Sequence, residues 1–210
     1  MVTGTRPRWS SVERWSPILF LVGGSLMVGH AALLGVQAFS SLTTPPDLFG
    51  PAGHLVGVAG LLGLYSMLAD RMPTLTRVAG TVAAAALASW AVITVTRVLV
   101  MAGIVSSVSS VLPGPLFVLA FGSTILTYLL FGAATLRIDH SPRVVGLLVL
   151  APAALLVVVL VDSAITGVSA FEGLLVSGGL ALSMPALGNT LRTWDAVSDQ
   201  PELIGDVTAG

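Results

Sequence analysis

The chain has 210 residues, 55% of them apolar and 9% charged, with a formal net charge of −1. Soluble domains carry about 25% charged residues, so water is excluded as the main solvent, and the absence of Cys excludes disulfides, thiolate metal sites, iron–sulfur ligation and cysteine nucleophiles. All nine basic residues are Arg, which excludes Lys Schiff-base chemistry, and a near-neutral balance without a basic run leaves no electrostatic footprint for nucleic acid.

A helix crosses the hydrocarbon layer with about 20 mostly apolar residues. A basic segment, 1–16, with Arg6, Arg8 and Arg14, precedes the first such stretch at 17–39. That stretch is longer than the about 7 to 15 residues of a secretion-signal core, so it is read as a retained span. Thr43-Thr44-Pro45-Pro46-Asp47 then punctuates the chain before a second stretch at 52–69. Asp70-Arg71-Met72-Pro73 leads to a third at 78–101, and the Ser- and Pro-rich run 106–115 to a fourth at 116–136. The fifth and sixth stretches are 144–161 and 173–191; the tail 192–210, with Asp195, Asp199, Glu202 and Asp206, reads as acidic, solvated and disordered.

These continuous runs lack the alternation of a membrane β-barrel. The expectation is an all-α polytopic membrane protein, a bundle of six transmembrane helices. Eight of the nine Arg then fall on one side: Arg6, Arg8, Arg14, Arg71, Arg77, Arg137, Arg143 and Arg192. By the positive-inside rule that side is the cytoplasm, with both termini in it and the cell membrane as the location. Trp9, Trp15 and Trp194 fall at the same boundary, where amphipathic rings collect.

Ionisable groups within membrane depth mark functional sites because burying charge is costly. Arg97 lies in the outer half of the third span, and Asp47, His54, Asp162 and Glu172 gather at the same outer face. Arg97 is expected either to pair with Asp162 or Glu172 or to reach a lipid phosphate. His30 and His54 invite a paired axial ligation of haem, but spans starting at a common plane put them about 10 Å apart in height, which opposes it.

The fourth span carries the most polar mid-membrane patch, Ser123, Thr124, Thr127 and Tyr128. With His30 it forms a candidate ligand-binding set: His30, Ser123, Thr127 and Tyr128. An intramembrane serine protease would need Gly-x-Ser-Gly and a His in the sixth span, and a zinc protease His-Glu-x-x-His; none of these occurs. No catalytic, cofactor or metal motif is found.

Gly53, Gly57 and Gly60 line one face of the second span and predict close helix packing, with Gly24, Ala31 and Gly35 in the first and Gly178, Gly179 and Ser183 in the sixth offering comparable surfaces. Such faces serve packing within the chain, or a homo-oligomer or partner membrane protein; lipid is the remaining partner. Pro152 and Pro185 predict kinks in the last two spans. Three functional expectations follow. The first is a non-enzymatic accessory or structural membrane component, the second a transporter or channel for a small neutral or lipophilic solute, and the third an outer-face enzyme using Asp162, Glu172, His54 and Arg97.

Overall fold

A computed structural model describes residues 10–40, 47–138, 143–166 and 170–198. They fold into seven helices, with no strand among the described residues: α1 (Ser10–Phe39), α2 (Phe49–Leu62), α3 (Tyr65–Ala69), α4 (Pro73–Met101), α5 (Gly114–Leu136), α6 (Arg143–Thr166) and α7 (Ala170–Ser198). Five of them, α1 and α4 to α7, are long and apolar enough to cross a membrane.

The second expected stretch differs. It begins three residues earlier and divides into α2 and α3 at Gly63-Leu64. There the N–H of Gly63 donates to the carbonyl of Gly60 at 3.1 Å and that of Leu64 to Leu61 at 3.0 Å, a tightened turn of 3₁₀ type. Both residues keep right-handed helical dihedrals, so the chain narrows without reversing. Elsewhere the helices outrun the expected bounds: α1 starts at Ser10 inside the expected basic segment, and α7 runs on to Ser198 into the expected tail. The rest of those two segments, 1–9 and 199–210, lies outside the described residues, as do Thr43 to Pro46 and His140.

The helices pack as a closed ring in which α1 meets α2, α2 meets α4, α4 meets α5, α5 meets α6, α6 meets α7, and α7 returns to α1. In addition α2 touches α5 across the ring. The ring closes tightly because glycines let backbones approach. A Cβ on Gly23 would stand 3.2 Å from the Gly57 amide nitrogen, and one on Gly188 2.7 Å from the Pro17 carbonyl. Gly53 faces Met27, Gly57 faces Met184 and Tyr128, and Gly60 faces the Phe20 ring, so the glycine face of α2 is spent on packing within the chain. At the same seam Ser16 Oγ donates to the Gly60 carbonyl at 2.8 Å. Pro152 and Pro185 sit inside unbroken helices, and the Pro185 ring fills the space left by Gly24.

Large apolar side chains such as Phe20, Met27, Tyr128, Phe131 and Met184 fill the interior, while the outward faces expose Val, Leu and Ile, the arrangement expected of helices solvated by lipid.

Helix registers show one irregularity. The end of α4 at Met101 is eleven residues past Trp90, and α5 starts ten residues before Thr124, the hydrogen-bond partner of Trp90. Both helices therefore rise about 15 Å above the level of Trp90. His54 stacks on Trp90, yet α2 begins only five residues above it, about 8 Å. At its start the Phe49 ring lies against Gly29, ten residues below the end of α1. The second helix is recessed within the ring.

Candidate functional site

The recess is held by a short carboxylate-centred motif. Asp47 Oδ1 accepts the N–H of Phe49 at 3.0 Å and that of Gly50 at 3.3 Å, satisfying donors left open by the first turn of α2. Its Oδ2 stands 2.7 Å from His30 Nδ1 on α1. Burial pushes the Asp47 carboxyl up, but the contact with His30 and the N–H groups of Gly50 and Phe49 together outweigh it and hold the group below its ordinary 3.8. Gly50 has no side chain because the place is taken: a Cβ would lie 2.9 Å from both Asp47 Oδ2 and the His30 ring.

Beside this motif the missing upper turns of α2 leave a cavity of about 280 Å³. Four polar side chains line it: His30, His54, Glu172 and Ser177. The remaining wall is apolar, with Phe121 and Ile125 from α5 and Leu156 and Val159 from α6. Ser177 is occupied, donating to the Gly173 carbonyl at 2.7 Å. Glu172 is 7% exposed and sits in the first turn of α7, where the helix dipole favours a negative charge.

His54 is the most constrained of the four. It is 5% exposed and stacked on Trp90 at 4.4 Å between centroids, and it meets the edge of Phe121 at 5.7 Å. Trp90 is fixed in turn by its Nε1–H, which donates to Thr124 Oγ1 at 2.8 Å. The result is an imidazole locked in place whose Nδ1 is buried and makes no hydrogen bond. A buried polar atom left unmatched costs about 1 to 3 kcal/mol.

The structure sorts the expected site residues into three groups. His30, His54 and Glu172 share the cavity, with Asp47 directly behind His30. The expected height difference between the two histidines shrinks to about 6 Å, because α2 does not start flush with its neighbours: His30 contacts the position of Gly50, one turn from His54. Asp162 is exposed on the last turns of α6, and Arg97 lines a different cleft with Ser106, Ser107 and Ser109. Ser123 and Thr127 are turned into their own helix, with Ser123 Oγ donating to the Leu119 carbonyl at 2.5 Å and Thr127 Oγ1 to the Ser123 carbonyl at 2.7 Å. Tyr128 follows Phe121 and Ile125 on the same face of α5, one turn deeper, with its hydroxyl against Gly57.

Sequence reasoning passed over Trp90 and Phe121. A signal was present, because Trp90 is the one Trp that the sequence places in the middle of an expected span. Among the described residues no three His, Asp or Glu side chains converge as a metal site. What the cavity offers is a greasy chamber with imidazole and carboxylate groups at one side, suited to a guest with an apolar body and a polar end. Searches against protein-family models, curated proteins and solved structures each return no match, so the chemistry of the cavity carries the functional reading.

Proposed function

We propose that the chain is a six-span protein of the cell membrane, with both termini cytoplasmic, that acts as a non-enzymatic accessory component by holding a small lipophilic guest in the cavity beside His54. For the sixth crossing, the support is that α1 ends where α4 does not begin. His54 pairs with Trp90 while Tyr65 lies against Gly80, so the α2–α3 segment runs beside α4 in the opposite sense across residues 80 to 90. Its residues, 49 to 69, extend about 30 Å, which matches the hydrocarbon layer. For orientation, the support is that Arg14, Arg71, Arg77, Arg137, Arg143 and Arg192 are all exposed at one end of the ring. A reporter fused after Gly210 is expected inside the cell and one inserted in the α4–α5 loop outside; the reverse would refute the topology.

The binding role rests on one observation, a buried His54 nitrogen without a partner at an apolar cavity. At about 280 Å³ the chamber lies just under the usual range for drug-sized ligands, about 300 to 1,000 Å³, which favours a compact molecule or the end of a longer lipid. The test is saturable binding of 1-aminoanthracene to the detergent-purified chain. Filling the chamber with Ile125→Phe should abolish it, and His54→Phe, which keeps the stack but removes the nitrogens, should weaken it. Binding indifferent to both changes would refute the role.

A further inference from the structure

The end of α4 carries a second recess that the cavity does not use. Gly103 adopts a left-handed φ of 71° and closes α4 with paired bonds, its own N–H to the Val100 carbonyl at 3.0 Å and that of Ile104 to Leu99 at 3.0 Å. This Schellman arrangement turns the chain back over the helix end. Ser106, Ser107 and Ser109 thereby share with Arg97, Leu112 and Phe117 the lining of a cleft of about 680 Å³. Every other described Arg is exposed at the opposite end of the ring, whereas Arg97 is half-buried here and its Nε is buried without a hydrogen-bond partner. No described carboxylate lines the cleft. Gly114 lines it too, so the start of α5 reaches the cleft with one open N–H, that of Gly114, since Pro115 has none and the Leu116 N–H donates to the Pro113 carbonyl at 3.0 Å.

We propose that this cleft binds a phosphate-bearing anion, with the phosphoryl oxygens on Arg97 and the serine hydroxyls and any apolar remainder along Leu112 and Phe117. Guanidinium is the side chain best matched to phosphate, because its planar fork donates two parallel hydrogen bonds. Hydroxyls add neutral donors, and the apolar part of the lining suits the glycerol end and first methylenes of a lipid. The phosphate could belong to a lipid headgroup or to a free anion, since both present the same oxygens.

The experiment titrates the purified full chain in a neutral detergent with dihexanoyl phosphatidic acid, with inorganic phosphate and with dihexanoylglycerol, reading the melting temperature at each concentration. Phosphatidic acid is expected to raise it saturably, dihexanoylglycerol to have no effect, and Arg97→Gln to weaken the half-saturation about tenfold or more, with Arg97→Lys intermediate. A response to phosphatidic acid alone assigns the site to a lipid headgroup; an equal response to inorganic phosphate assigns it to a free anion. Should Arg97→Gln fail to fold, Ser107→Ala with Ser109→Ala gives the same comparison without touching the charge. An unchanged response in these variants, or the same weakening in Arg137→Gln at the opposite end of the ring, overturns the proposal.

Discussion

The imidazole of His54 lies flat on the indole of Trp90, with planes 12° from parallel, and the indole N–H is fastened to Thr124 on the next helix. Three helices are thus joined at one level, directly beside the cavity. Trp90→Ala would empty a site that is 3% exposed and should cost about 3 to 5 kcal/mol. Trp90→Phe keeps a ring for His54 and loses mainly the bond to Thr124, so about 1 kcal/mol is expected. Unfolding in mixed micelles measures both; equal losses in the two variants would show that the ring contact contributes nothing.

Glycine positions predict opposite outcomes for one chemical change. A Cβ on Gly23 meets the backbone of Gly57 and Gly53, which cannot swing aside, so Gly23→Ala should separate α1 from α2 and cost about 1 to 3 kcal/mol. Nothing lies within 4 Å of the same atom on Gly178, and Gly178→Ala should be neutral or slightly stabilising. Unfolding midpoints of the two variants, compared in the same detergent, test the assignment. A similar loss at both would mean that the close approach of α1 and α2 carries no special weight.

The long helices were legible because apolar length acts along the chain: α4, α5 and α6 begin within a few residues of the expected bounds. The cavity was not, because it depends on how deep one helix sits relative to its neighbours. That depth is decided by Asp47 holding the start of α2 against His30 and by Gly23 meeting Gly57, contacts between residues far apart in sequence. The hydroxyls of α5 misled for a related reason. Ser123 and Thr127 look available in sequence, yet in a lipid-embedded helix the nearest acceptor is their own backbone four residues back.

Acid should loosen the anchor of α2. The folded structure holds the Asp47 carboxyl below its ordinary 3.8, so the charged form is favoured by folding. The stabilisation is therefore fully present above that ordinary value and is lost as the pH falls through the lower, folded one. Melting temperatures measured from pH 7 down to about pH 3 should fall at the acid end for the native chain, and Asp47→Asn should flatten that limb while lowering the plateau. Parallel acid limbs in the two proteins would remove Asp47 from the account.

Tyr128 offers a test in the opposite direction, toward greater stability. Its side chain is fully buried, the hydroxyl stands where it would be 3.0 Å from a Cβ on Gly57, and it makes no hydrogen bond. Leaving such a group unmatched costs more than replacing it with hydrogen, so Tyr128→Phe should raise stability by about 1 kcal/mol in the empty protein. A loss of stability in the guest-free protein would contradict the premise that the hydroxyl is unmatched.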